Sequence, residues 1–269
     1  MSKNLIVPAL IAALLVPGIA MADVQITAAG STALLPLVKQ SAAEYQAAHP
    51  DVKISVSGGG SFVGINQATS GNADMGDSDV IAPGSAGLTD HRVAVVGFGI
   101  IVNPSAGVKG LSAKQVRDVF AGRVTNWNQV GGADQQIVVI NRPRSSGTRF
   151  VFRATIMGLS SISEGGLIED SSGTVVTTVG STPGAVSYVA LGYTKGKPVT
   201  VLSINGVAPN DDTIRTGKYP IWSYEHVFTK GSSNAAVEAF IKYIAGNTSA
   251  IEKLGFIAVR SMKVKELNR

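Results

Sequence analysis

Apolar positions fall in short blocks along this chain, and their spacing switches between that of a strand and that of a helix. "VQITAA" (24–29) and "VKISVS" (52–57) predict strands. Between them, Leu34, Val38, Ala42 and Tyr45 recur on one face of a predicted helix over 32–49. "GGGS" then leads into a short predicted helix over 62–71. A β-branched run, "RVAVVGFGIIVN" (92–103), reads as a buried strand. Residues 112–122 read as a helix with a glycine stop. "QQIVVI" (135–140) is the next strand, and 148–158 predict a helix with Phe150, Ala154 and Met157 at its apolar spacing. Strand signals return at 186–191 and 198–204, extended structure at 219–229, and an amphipathic helix at 234–246. Strands alternating with helices predict an α/β fold with largely parallel sheets. The chain reads as free of internal repeats, low-complexity tracts and charge blocks, and no Pro/Ser-rich linker cleanly divides it after residue 22.

The first residues change the picture of where the protein resides. Lys3 is the only charge before Asp23, and the apolar run between them ends in Ala20-Met21-Ala22. That pattern predicts a secretory signal peptide over 1–22, cleaved near Ala22-Asp23, in preference to an uncleaved anchor. Pro8 and Pro17 argue against a membrane span. No later apolar run reaches the roughly 18 residues that a span requires. The chain has no cysteine, which excludes disulfides and lipid attachment through a thiol. The expected location is a bacterial periplasm. Without residues 1–22, 22 basic residues stand against 18 acidic ones, a mild and dispersed excess that does not predict nucleic-acid binding.

Candidate chemistry lies in three similar loops, each between a predicted strand and a predicted helix. They are Gly30-Ser31-Thr32, Gly58-Gly59-Gly60-Ser61 and Ser145-Ser146-Gly147-Thr148, the last preceded by Arg142 and Arg144 and followed by Arg149. A helix start offers unpaired N–H groups and partial positive charge, glycine permits close approach, and hydroxyls add donors. Each loop alone is ordinary capping chemistry; three together with an arginine predict an oxyanion site. "MGDSDV" places Asp77 and Asp79 nearby. A carboxylate is compatible with an anion that carries a proton, such as hydrogen phosphate, and repels sulfate, which has none. Turn capping by either aspartate is the alternative.

"GSTALLPL", "SGGGSFVGI", "MGDSD", "VRDVFAGRVTNWNQVGG" and "RPRSSGTRFVF" occur in this order over nearly the whole chain after residue 22. The arrangement resembles the phosphate-binding receptor of the bacterial high-affinity phosphate ABC transporter. The resemblance implies a two-lobed type II periplasmic-binding-protein fold, α/β in class, closing on a dehydrated phosphate. Its implied lobes are 23–102 with the return segment 220–269, and 103–219, with "GIIVN" and "KYPIWS" as crossings. The implied ligands are Thr32, the Ala33 backbone and Ser61, with Asp79 as proton acceptor and Ser78 beside it. Arg142, Ser146, Gly147 and Thr148 are implied from the other lobe. Where some relatives carry an acidic partner for the ligand arginine, this chain has Arg144, so the resemblance does not explain how Arg142 is held. Arg149 is expected to face solvent, and Trp127 and Trp222 to be packing residues.

Other chemistry has little support. His49, His91 and His226 form no metal-binding pair, and "GYTKGKP" and "GGGSFVG" miss the nucleotide-loop spacings. No nucleophile elbow or Ser-x-x-Lys pair is present. The expectation is therefore a monomeric, cofactor-free, non-enzymatic receptor that delivers inorganic phosphate to an inner-membrane ABC permease. The alternatives are an exported phosphoryl-transfer enzyme or phosphatase, a surface interaction protein on the same fold, and a receptor for another tetrahedral oxyanion.

Overall fold

The computed structural model describes residues 23–231 and 234–265; the expected signal peptide lies outside the described residues. The first strands and helices are β1 (Val24–Gly30), α1 (Leu35–Ala48), β2 (Val52–Ser57), α2 (Ser61–Ser70), β3 (Met75–Ser78) and β4 (Leu88–Val102). Next come β5 (Gly110–Leu111), α3 (Ala113–Phe120), β6 (Val138–Asn141), α4 (Gly147–Phe152), β7 (Leu167–Ile168), α5 (Ser172–Ser181) and β8 (Ala185–Ala190). The chain continues through β9 (Thr200–Val201), β10 (Ser203–Ile204), α6 (Asp211–Arg215), β11 (Trp222–Lys230), α7 (Ala235–Gly246) and α8 (Thr248–Lys253).

The main sheet runs in the order β2-β1-β3-β11-β4-β8-β6-β7, with β9 added against β4. Within β1–β3 and within β6–β8 the pairings are parallel, as the alternation of strands and helices predicts. The expectation of largely parallel sheets is nevertheless corrected, because β11 is antiparallel to β3 and β4, and β4 to β8 and β9. β4 is long enough to serve both groups. Its residues 88–97 pair with β11, and 98–102 pair with β8. These directions have a consequence for function: β1–β3 and β6–β8 point toward each other, so their carboxyl ends face one another. Loops at the carboxyl ends of parallel strands are where α/β folds place ligands.

Packing follows the apolar pattern. α1 buries Leu37, Val38, Ala42 and Tyr45. β4 is buried at every position from Val93 to Val102, as a strand covered on both faces should be. Trp127 and Trp222 are buried packing residues; the indole N–H of Trp127 donates to the Gly184 carbonyl at 2.9 Å. Phe120, Phe152 and Tyr188 form a ring cluster with centroids 4.3–5.6 Å apart, fixing α3 and α4 against β8. Each such pair contributes about 0.5–1.5 kcal/mol beyond burial.

Three local expectations change. After α4 the helix widens into a π-turn over Arg153–Met157, so the buried positions become Val151, Phe152, Ile156 and Met157. Phe150 is 37% exposed and Ala154 is also exposed, although their spacing suits a regular helix face. β3 carries no strand signal, since Gly and Asp are poor strand formers and its four residues are all buried without alternation. α5 is likewise hidden, because the β-branched "TVVTTV" favours strands. Tertiary packing decides: Val175, Val176 and Val179 bury with Ile101, Ile140, Ala185 and Val189.

Candidate functional site

The facing strand ends deliver four helix starts to one place. The end of β1 passes through Ser31 and Thr32 to α1, which has no side-chain cap at its first residue; instead Ser31 Oγ accepts from the N–H groups of Ala33 and Leu34 at 3.0 and 3.2 Å. After β2, the glycine loop opens α2 at Ser61. After β6, Ser146 caps α4 by accepting from Arg149 N at 3.2 Å. After β7, Ser171 caps α5 in a reciprocal pair with Thr174.

Two glycines let these loops meet. A Cβ on Gly147 would lie 2.1 Å from Ser61 Oγ and 2.9 Å from the Asp79 Cβ, so the starts of α4 and α2 touch only because position 147 has no side chain. Gly60, at φ 96°, sits where a Cβ would lie 2.5 Å from the Ser145 carbonyl. The N–H of Phe62 donates to that carbonyl at 3.1 Å, and the rings of Phe62 and Phe150 meet edge to face at 5.9 Å. The two sets of loops are thus closed against each other.

Asp79 and Arg142 form the charged centre. Asp79 follows β3 and is buried. Its carboxylate accepts from the Ser31 hydroxyl and, at 2.8 Å, from Thr148, while its N–H donates to Ser61 Oγ at 2.9 Å. Burial raises its pKa above the ordinary carboxylate value, opposed by those two hydroxyls and by the Arg142 guanidinium.

Arg142 is 1% exposed. Nη2 donates to Thr32 Oγ1 at 3.0 Å and to the Asp170 carbonyl at 3.1 Å. Nε and Nη1 are buried and have no partner among the described residues. Burial lowers the Arg142 pKa, while Asp79 acts in the opposite direction. A buried guanidinium with unmatched donors, beside hydroxyls and helix starts, is suited to an anion.

Arg142 is held without an acidic neighbour. Its backbone N–H donates to Asn141 Oδ1 at 2.9 Å, and that same oxygen accepts from the Tyr188 hydroxyl. Its carbonyl accepts from Arg149 Nη1 at 2.6 Å. This corrects the expectation for Arg149, which turns back onto the loop before α4 and is only partly exposed. Arg144 reaches outward, 88% exposed, to Glu164 at 3.6 Å.

Of the residues singled out in the sequence, Thr32, Ala33, Ser61, Asp79, Arg142, Ser146, Gly147 and Thr148 lie together. Ser78 is adjacent in the chain but differently engaged: its hydroxyl donates to the Val80 carbonyl at 2.7 Å and accepts from the Val80 N–H at 3.0 Å. Asp77 lies within β3 and caps no turn; it is fully buried and its carboxyl has no partner among the described residues. The cluster also holds residues that the loop pattern does not point to. Ser172 meets Thr32 Oγ1 through its hydroxyl at 3.2 Å and its N–H at 3.3 Å, and Tyr193 donates to the Thr32 carbonyl at 2.6 Å. A sequence signal for Ser172 exists: "SSGT" at 171–174 repeats "SSGT" at 145–148.

Known proteins resemble this chain in sequence and in fold. Residues 17–248 match the PBP superfamily domain. The phosphate-binding protein PstS of Bacillus subtilis is 41% identical over 247 residues, covering 89% of this chain and 82% of the relative. A Clostridium perfringens substrate-binding protein, assigned to phosphate ABC transport and solved with phosphate bound, superposes with a TM-score of 0.83 at 26% identity, over 87% of this chain and 99% of that one. An ABC-type phosphate transport receptor from Vibrio cholerae gives a TM-score of 0.71 at 28% identity, over 86% and 99%.

Proposed function

The chain belongs to the PstS family of phosphate-binding proteins, within the PBP superfamily, and from that premise we propose that it captures inorganic phosphate and delivers it to an inner-membrane ABC permease. The observation that carries this reading is a buried Arg142, whose Nε and Nη1 are unmatched, in the same cluster of four helix starts as buried Asp79, an acceptor.

The proposed ligands are Thr32, the Ala33 backbone, Ser61, Asp79, Arg142, Ser146, Gly147 and Thr148. Ser172 and its N–H complete the set from α5. Ser78 is placed behind them, bracing the turn that carries Asp79. Arg142 supplies charge and directed donors, and the helix starts spread partial positive charge over the remaining oxygens. Asp79 accepts a hydrogen bond from a protonated phosphate oxygen; sulfate has no such hydrogen and meets only repulsion.

Binding is coupled to closure. The proposed lobes, 23–102 with 220–269 and 103–219, are joined by the Thr148–Asp79, Arg142–Thr32 and Tyr193–Thr32 hydrogen bonds, which a separation of the lobes would break. An anion between them adds attractive contacts to both sides, and hinge closure follows. Relatives of this chain are transport receptors, which favours binding without turnover over phosphatase action. A signal peptide over 1–22, a periplasmic location and a monomeric state complete the reading. Calorimetric titration of phosphate-stripped protein tests it: one saturable phosphate site is expected, and absence of heat with phosphate would overturn it.

A further inference from the structure

The strand that returns through the middle of the sheet brings a second acid to the cleft. β11 pairs antiparallel with β3 in the register Val227↔Asp77, His226↔Ser78. Continued by one residue, that register sets Glu225 opposite Asp79. The side chain of Glu225 is fully buried, and its carboxyl group interacts with that of Asp79. Two carboxyl groups can share a hydrogen bond only if one carries a proton. Two buried negative charges so close cannot both persist.

We infer that Glu225 is a positioning residue of the anion site: it keeps its proton at neutral pH and donates it to Asp79, so the pair presents one negative charge to the bound anion. The assignment within the pair follows from the neighbours. Asp79 has the Ser31 and Thr148 hydroxyls as donors and the Arg142 guanidinium nearby, all of which favour its ionised form. Glu225 therefore holds the hydrogen. The titratable and charged groups on the elements packed against the pair are Asp77 on β3, His226 on β11 itself, Asp90, His91 and Arg92 on β4, Arg142 after β6 and Tyr193 after β8, whose hydroxyl interacts electrostatically with both Asp79 and Glu225. α2 packs on β11 and brings no titratable side chain. Burial raises the Tyr193 hydroxyl to about 12, so it stays neutral.

The consequence is a cleft whose charge depends on one proton. With Glu225 protonated, Arg142 and one carboxylate face the anion. Once Glu225 ionises, a second negative charge opposes the same anion, and phosphate is held less tightly. This inference rests on phosphate being the ligand, but one of its tests does not. In wild-type protein carrying carboxyl-labelled glutamate, carbon NMR without phosphate should show one glutamate carboxyl still protonated at neutral pH. Glutamates that are all ionised there would overturn the inference whatever the ligand.

The second test compares E225Q with the wild type by phosphate calorimetry. Glutamine keeps a donor toward Asp79 and cannot ionise. Wild type and E225Q should bind phosphate with Kd values within about threefold of each other at neutral pH, since both then keep a donor toward Asp79. A wild-type Kd at least about tenfold above that of E225Q at neutral pH, the mark of an ionised Glu225, would overturn the inference. If neither protein binds phosphate while the protonated glutamate is seen, the ligand reading has failed and the carboxyl pair has not.

Discussion

Thr148 donates its hydroxyl to Asp79 Oδ2 at 2.8 Å, joining a helix start on one side of the cleft to a strand end 69 residues earlier on the other. The same two residues join the proposed lobes and line the proposed anion site. Thr148→Val keeps the shape and removes the donor. Loss of a hydrogen bond to a charged group costs about 1.5–3 kcal/mol, so phosphate affinity should fall roughly ten- to hundredfold. Calorimetry with the far-ultraviolet circular dichroism unchanged would give this result; affinity within about twofold of wild type would remove Thr148 from the site.

The three arginines near α4 should rank by what they touch. Arg142→Ala leaves Asp79 without its buried cation, and phosphate binding should drop by at least about a hundredfold. Arg149→Ala releases the Arg142 carbonyl and should weaken binding by about tenfold, the scale of one charge-assisted hydrogen bond. Arg144→Ala breaks only an exposed pair with Glu164 and should change affinity by less than about threefold. Titration of the three variants under one buffer checks the order, and an Arg144 effect equal to that of Arg149 would contradict it.

Gly147→Ala tests closure. The added methyl would have to displace Ser61 Oγ, with which it would overlap at 2.1 Å. Helix propensity favours alanine, so the secondary structure of α4 is not harmed. The lobes should stand further apart, visible as a larger radius of gyration by small-angle scattering with phosphate present, and affinity should fall at least about tenfold. A compact, tight-binding Gly147→Ala protein would show that the two loops need not meet.

Asp77 gives a pH dependence with a definite sign. Burial holds its carboxyl well above the ordinary value, so the folded chain binds this proton more tightly than the unfolded chain. Stability from this group is complete below the ordinary aspartate pKa of about 3.9. It is lost as pH rises through the folded value. Asp77→Asn should therefore be more stable than the wild type at about pH 8, and the difference should close toward about pH 4. Denaturant melts across that range check it, and a pH-independent difference would contradict the burial argument.

Much of this site is legible in the sequence because its parts are local. A glycine-and-hydroxyl loop between strand and helix is written in adjacent residues, and so the loops holding Thr32, Ser61 and Ser146–Thr148 stand out from the chain by themselves, whereas Asp79 is told from Asp77, and Arg142 from Arg144 and Arg149, only by the resemblance to the family. The harder parts depend on residues far apart in the chain. Arg149 reads as a surface residue of a first helical turn until the loop folds back under it. Glu225 sits in an extended run with no glycine or hydroxyl signature, and only the β3–β11 register brings it to Asp79. α5 is hidden by its valines and threonines, although its repeated "SSGT" marks the helix start. The sheet directions escape a sequence reading for the same reason: alternation reports each strand's neighbours in sequence, while β11 takes its place between strands far from it in the chain.

The most direct measurement is a paired titration of stripped wild-type protein and Asp79→Asn with phosphate and with sulfate at one ionic strength. Wild type is expected to bind phosphate with a Kd between about nanomolar and micromolar and to give no saturable heat with sulfate, whereas Asp79→Asn should narrow the gap between the two anions. Equal affinity for both anions in the wild type, or a gap unchanged by the substitution, would contradict the claim that this cleft selects its ligand by the hydrogen that the anion carries.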